Sequence, residues 1–592
     1  MGDSGETVAI WERQNGINHD VQVSTRSPGS AFSAPVDLSP SSTNPDVAIS
    51  PQGEAVAVWR HFDIASGKYV TQAATRAPGG SFSAPIDISV SSTAAAPRDF
   101  HVAVGPGGAA ALVWIQKDPD SVEDPNQFSV LASVRPAGGS FSAPMIVSPL
   151  PLVVGDDANN PGVAVDASGD VVVAWQYNDS ALAHSLIQVS SRLAGASFAA
   201  PIPISDTSHD AGLPAVAMDA TGEATVVWAE SDGVDQLIRA ASGAPGGSFT
   251  SPVDLSASGQ DAFTPDIAIA PGGDATAVWT RSNGSNFIIQ AATRPPGGVF
   301  SAPADLSAPG QDAFDPEVAM NASGAATVVW RRSDGLSAIA QAATREPGGA
   351  FSPPADLSAP GQDAVSPGVA MDSVGDATTV WYRSNGANSI VQAAGYDVDA
   401  PVLRSLSIPA SGVVGEPVSF SADPFDVWPI ASTAFSFGDG TMADGTAVTH
   451  TYTAPGSYQV TVAAKDSAGT PVTGGGAISI IAPNRFSLGK LKRNKRTGRA
   501  TLFGRISAPG RLVLFGGGVR KVRRYFGHSG RVELQIKPKR KLLKRLKRHQ
   551  RARSRIKVDF LPTGGYRARK HRLIVLIRKP AGDRVPTAQR RP

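Results

Sequence analysis

Four aspartates pose the first chemical question in this sequence. Asp210, Asp261, Asp312 and Asp363 stand 51 residues apart, and spacing that regular brings like residues to like places in successive structural units. Carboxylates gathered at one mouth could hold Ca²⁺, a hard cation that takes oxygen ligands, or accept hydrogen bonds from sugar hydroxyls. A local reading competes with this. Each aspartate has a Pro or Gly within four residues, as an Asx-type turn opening each unit would require. A second set is cationic: Lys539, Arg540, Lys541, Lys544, Arg545, Lys547, Arg548 and Arg551 crowd into KPKRKLLKRLKRHQRARSR (537–555). Such a run can bind a polyanion by releasing its counterions. Its pattern predicts a basic helix between strands, with Leu542, Leu543 and Leu546 on the buried stripe.

The elements that must position these residues follow from composition. A chain of 592 residues exceeds one core and should divide into several domains. Gly (61) and Pro (47) are abundant and charged residues scarce at 18%, which suits short strands joined by tight turns and argues against long helices. There is no cysteine, so disulfides, thiol chemistry and Cys-ligated zinc are excluded. No apolar run reaches the length of a membrane-spanning helix. The net charge of +2 hides a strong asymmetry. Residues 484–592 hold 35 of the 53 lysines and arginines but three acids, leaving 18 basic and 48 acidic residues before them. The two portions therefore carry about +32 and −30. The basic portion is suited to meet polyanions or to screen its acidic neighbour.

The repeat is the strongest signal. Tryptophans close an apolar run at Trp11, Trp59, Trp114, Trp175, Trp228, Trp279, Trp330 and Trp381, the last three intervals being 51 residues each. Phenylalanines mark a second landmark at Phe32, Phe82, Phe141, Phe198, Phe249, Phe300 and Phe351. Residues 316–358 show one unit: PEVAM, turn NASGA, ATVVW, loop RRSDGLS, AIAQAATR, turn EPGG, AFSPPADLS. Four antiparallel strand-length runs at this period predict the blade of a β-propeller, each sheet relying on its neighbour to cover the tryptophan side. A solenoid is the rival, but its turns are usually shorter. Eight blades are expected, with seven and a stray hairpin as the alternative. The opening GDSGETVAIW matches the middle of a unit, so the missing strands, and a signal peptide, are expected to lie outside this chain.

The turns TRAPGGSFSAP (75–85), TRPPGGVFSAP (293–303) and TREPGGAFSPP (344–354) resemble the Asp-box turns of sialidase-like propellers. They keep the glycines, the aromatic and the proline step, but Pro or Ala replaces the Asp and Phe replaces the Trp. That likeness implies architecture rather than activity. A sialidase needs three convergent arginines, a Tyr–Glu nucleophile pair and an acid Asp. Arg60, Arg281, Arg331, Arg332 and Arg383 instead recur with the repeat, as solvent-facing arginines lying over the tryptophan ring would. Further on, FSFGDG (435–440) and THTYTAPGSYQVTVAAKDSAG (449–469) resemble the signature of PKD domains. The likeness implies an Ig-like sandwich, usually an extracellular spacer or adhesive unit. The strand-like runs RATLFGRI, GRLVLFG, RVELQI, RIKVDFL and HRLIVLI resemble a basic C-terminal domain of secreted proteins of high-GC Gram-positive bacteria.

The reading is an all-β chain: propeller 1–398, PKD domain 399–483, basic β domain 484–580 and a disordered tail 581–592. It expects a monomeric, non-catalytic recognition or adhesion protein, extracellular or attached to the cell wall. A glycan or protein ligand would meet the propeller and anionic wall polymer the basic domain. No cofactor is expected apart from a Ca²⁺ ion at the four aspartates, and nucleic acid is not an expected partner. The alternative is a sialidase-type glycoside hydrolase whose key strand is missing.

Overall fold

The computed structural model describes every residue except 17, 91–95, 118–126, 149–155 and 580–592; the tail expected at 581–592 lies outside that set. Two compact units divide the chain, one of residues 1–399 with 426–429, the other of 400–425 with 430–592.

In the first unit the repeat becomes eight antiparallel sheets. The sixth is representative, with strands Ala262–Ile269, Ala275–Ser282, Phe287–Arg294 and Ala304–Asp305. Its second strand, ATAVWTRS, is apolar on both sides because both faces are covered, and Trp279 is wholly buried. The covering comes from the preceding sheet: Trp279 packs with Val227, Ile238 and Leu255 of the fifth. Trp330 does the same with Val278, Ile289 and Leu306 of the sixth. Each sheet thus lends its apolar face to the next tryptophan, and the series closes where Arg26 donates to the Thr378 hydroxyl at 3.1 Å, joining first and last sheets. The chain is an eight-bladed propeller in its first unit. Among the described residues, its first sheet holds three strands (Thr7–Asn15, Asn18–Arg26, Val36–Ser39), the second to fourth of the repeat, and its last holds the first to third (Ala364–Met371, Ala377–Ser384, Ser389–Tyr396).

Local chemistry explains the turns. In the D-x-x-G hairpins the Asp166 carboxylate accepts the N–H groups of Ser168 and Asp170, while Gly169 takes φ 85°, a conformation that suits glycine. Every complete innermost strand carries a bulge, as between Phe263 and Asp266. Its Pro265 has no N–H to give the ladder, and Thr264 sits at φ 50°.

In the second unit, strands Val402–Ser407, Val418–Phe425 and Ala447–His450 face a five-stranded sheet built on Gly456–Asp466 and Pro471–Ile481. Phe420, Phe435, Phe437, Tyr452, Val460 and Val462 form the core between them. In the FSFGDG turn, Gly438 (φ 77°) lies so close to Gln459 that a Cβ would come within 2.4 Å of its carbonyl oxygen. Asp439 bonds Thr441 and His450, the latter at 2.7 Å. Partial burial opposes the charge, yet these bonds hold its carboxyl below the usual range.

Residues 486–577 form two further sheets around Leu512, Leu514, Leu534, Ile556, Val558 and Phe560. The expected helix is present but shorter, spanning Arg540–His549. Residues 551–555, read from sequence as helical, begin the strand Arg551–Pro562. Exposed Arg551, Arg553 and Arg555 alternate there with buried Ala552, Ser554 and Ile556, a period of two that overrides the basic run. Gln550, at φ 53°, ends the helix. Leu542 and Leu546 are buried, while Leu543 is half-buried.

Candidate functional site

The four repeating aspartates have a shared structural task. Asp210 accepts the N–H of Ser185, Asp261 that of Gln236, Asp312 that of Phe287 and Asp363 that of Ala338, all at 2.8–2.9 Å. Each therefore fastens the loop before one innermost strand to the third strand of the preceding blade. This is a tie between neighbouring blades rather than a self-contained turn, and among the described residues the carboxylates close enough to share a metal ion are others, Asp376, Asp397 and Asp426. The arginines that follow the tryptophans also differ from expectation. Arg60 lies over Tyr69 at 5.3 Å and Arg331 over Phe314 at 5.0 Å. From Trp59 to Trp381 the tryptophans are sealed under neighbouring blades, out of reach of these guanidinium groups. Arginines that end third strands stack instead on the turn phenylalanines, as Arg294 does on Phe300 and Arg345 on Phe351.

Carboxylates missed in the sequence sit on the innermost strands, just after the bulges. Asp46 accepts the N–H of Val102 and Asp266 that of Val318, each one blade on, at 2.9 Å. Enclosure by protein pushes the Asp266 carboxyl up to about 6. Glu317 is pushed up to about 8 by the same cause, reinforced by Asp266 and Asp46. The signal that could have found them is the acid that follows the bulge proline in NPD, TPD and DPE. A carboxyl held above its unfolded value of 4.5 binds its proton more tightly when folded. Stability is therefore lost as pH rises from about 4.5 towards 8. Glu317→Gln should remove the part of that slope above about pH 6, leaving what Asp266 contributes, and, since Glu317 keeps solvent-facing surface that screens it, gain about 1 kcal/mol at pH 9. Thermal melts from pH 4 to 9 check this.

Asp376, Asp397 and Asp426, all of the first unit, bring one carboxylate oxygen each within 4.8 Å of one another. The buried Arg26 guanidinium supplies positive charge to Asp376 and Asp397.

The most developed site lies in the second unit. A groove of about 990 Å³ is lined by Lys495, Arg496, Arg499, Arg520, Lys537, Lys547, Arg578 and Lys579, with Thr497, Pro538 and Leu543. Eight cations and no carboxylate line it. Lys495, Arg496 and Arg499 come from the hairpin that joins Phe486–Asn494 to Arg499–Ile506. The end of the last strand is tied beside them, where the Arg578 and Lys579 N–H groups donate to the Gln550 and Lys495 carbonyls. Arg520 is held by its N–H bond to the Lys537 carbonyl. The helix contributes Lys547, and Leu543 forms part of the floor. Elsewhere in this domain one carboxylate draws two arginines, Arg567 and Arg569. Asp559 takes two bonds from Arg569, at 2.6 and 2.9 Å, and bonding to that guanidinium holds its carboxyl below the usual range.

Of the eight cations singled out in sequence, only Lys547 lines the groove; the other seven are exposed on the helix and its flanks. The helix has no acid in its first turn and no side-chain cap. Arg540 and Lys541 thus face the positive end of the dipole, an arrangement that costs a few tenths of a kcal/mol each. The sequence signal for Lys495, Arg496 and Arg499 was KLKRNKRTGR (490–499), a second basic cluster spread over a turn; Arg520, Arg578 and Lys579 join them only by folding.

Comparison with known proteins bears on the middle of the chain first. Residues 398–476 match the PKD domain family. The PKD domain thus accounts for the FSFGDG turn and the aromatic core around it. The solved PKD1 domain of a Vibrio cholerae metalloprotease is 31% identical, covering 14% of this chain and 98% of that one, with a TM-score of 0.12. A Hadza microbial sialidase is 14% identical, covering 58% and 73%, with a TM-score of 0.33. An endo-arabinase from Bacteroides thetaiotaomicron is 16% identical, covering 40% and 94%, with a TM-score of 0.26. No curated protein matches the chain. Among the described residues, no helix is long and apolar enough to cross a membrane.

Proposed function

We propose that this chain is a non-catalytic recognition or adhesion protein of the cell envelope, with the propeller facing a glycan or protein ligand. The basic domain attaches it to an anionic wall polymer. The observation that carries the reading is the acid-free groove of eight cations. Phosphate or carboxylate groups spaced along a polymer would enter it, the arginines giving paired hydrogen bonds and the lysines point charge. The PKD domain supports the extracellular setting, since such modules usually serve as outer spacers or adhesive units. Arg60 and Arg331 support the non-catalytic reading, because both are committed within their own blades, to Thr43 and Asp315. The test is retention of the full chain on purified wall polymer at low and high salt. Electrostatic attachment predicts retention that falls steeply as salt rises. Retention that is indifferent to salt defeats it.

A further inference from the structure

One strand of the basic domain carries a charge pattern that the groove does not use. Along Arg551–Pro562, Ala552, Ser554, Ile556 and Val558 are buried, while Arg551, Arg553 and Arg555 are exposed and Lys557 is half-buried. The outward cations therefore stand at every second residue, about 6.7 Å apart by the rise of a strand. None of the four has an ion-pair partner among the described residues. At one end the row stops at Asp559, which is buried and bonded to Arg569. At the other it adjoins the groove, where the Arg578 N–H donates to the Gln550 carbonyl and Arg578 joins the lining.

A second row runs alongside on Ala568–Ile577. Antiparallel pairing sets Arg551 opposite Ile577, Arg553 opposite Val575, Arg555 opposite Leu573 and Lys557 opposite His571. Residues directly opposite share a face of the sheet, so three aliphatic side chains flank three arginines. Leu573 is 57% exposed, and Val575 and Ile577 are half-buried. Apolar surface set beside unpaired charge suits a ligand that has both.

We infer that this face is a binding track for a linear phosphodiester polymer whose phosphates are joined by three-carbon units, of the glycerol phosphate type. The inference rests on the reading that the basic domain holds a wall polymer, and it names that polymer's chemistry. Between successive phosphorus atoms such a chain has six bonds of about 1.5 Å, which zigzag to an extended repeat of about 7 Å. That repeat matches the row of cations. Consecutive phosphates meet consecutive side chains, the arginines giving paired hydrogen bonds and Lys557 a point charge. The carbon linkers lie over Leu573, Val575 and Ile577, with the single hydroxyl of each turned to water. A polyuronate lacks this fit, because each carboxylate rides on a ring whose hydroxyls would press against aliphatic side chains without partners. Single-stranded nucleic acid is held largely by stacking its bases on aromatic faces, and the residues flanking the three arginines are aliphatic.

The probes are octamers of glycerol phosphate, galacturonate and uridylate, each titrated into the full chain by calorimetry. The glycerol phosphate chain should bind at least tenfold more tightly than either of the others. Exchanging Arg553→Gln and Arg555→Gln together should weaken it about tenfold, and Leu573→Ser, which removes no charge, about threefold. Arg523→Gln with Arg524→Gln, an equal loss of charge on the exposed strand Val522–Phe526, should cost far less. All of these side chains are exposed, so melting temperatures should stay unchanged, and the three probes on the unaltered chain give a comparison that no folding defect can mimic. Equal affinity for glycerol phosphate and galacturonate, tighter binding of uridylate, or a loss at Arg553 and Arg555 no greater than the control pair's overturns the inference. Retention on wall polymer separates the two readings: retention without preference among the probes defeats only the phosphodiester track, and no retention defeats both.

Discussion

Replacing Arg496, Arg499, Arg520 and Lys547 together by glutamine should lower affinity for an anionic polymer by roughly 10²- to 10³-fold at about 0.1 M salt, by the arithmetic of counterion release. The four residues come from a hairpin, a loop and a helix, and meet only in the folded domain. Halving the groove's charge should also reduce the slope of log affinity against log salt by about half. Stability should not suffer. The side chains are exposed or half-exposed, and none has an ion-pair partner among the described residues, so removing them relieves like-charge repulsion. A control exchange of Arg567 and Arg569, which face Asp559, should change retention far less. Equal losses from both sets would mean that net charge, not the groove, does the holding. Affinity chromatography over a salt gradient with both variants decides this.

Trp279→Ala should destabilise the propeller by about 3–5 kcal/mol, the range for deleting a large buried aromatic. Trp279 has no exposed surface and is enclosed by Val227, Ile238, Leu255 and Ile267, which cannot collapse into the space because three are pinned in strands and Leu255 by its N–H bond to the Ile238 carbonyl. Trp11→Ala, at the equivalent place in the first blade, should cost at most about a third of that, since Trp11 is half-buried and lines an open groove. Chemical denaturation of both variants gives the comparison. Equal costs would show that Trp11 is packed as tightly as the interior tryptophans.

Much of this architecture was legible in the residues. The eight tryptophans announce eight sheets because a strand apolar on both faces has to be covered twice, and a period near 50 leaves room for four short strands. The FSFGDG turn was equally readable, since Gly438 and Asp439 fill a conformation and a hydrogen-bonding role that few other residues can. The basic segment at 537–555 was only partly readable. Charge dominated its composition, and the change from helix to strand at Gln550 was decided by which small residues the sheet beside it could bury.

Sequence by itself determined the repeating sheets, the sandwich after them and the placing of positive charge at the C-terminal end. All of these follow from local periodicity and composition. The tertiary structure decided which charges share one space. Asp210, Asp261, Asp312 and Asp363 look alike along the chain but are each spent on a neighbouring backbone N–H. Lys495, Arg520 and Lys579, far apart in sequence, are brought to one groove by strand pairing. Linear spacing fixes which residues repeat. Proximity across a sheet depends on register, and register is set by long-range packing that a single sequence does not spell out.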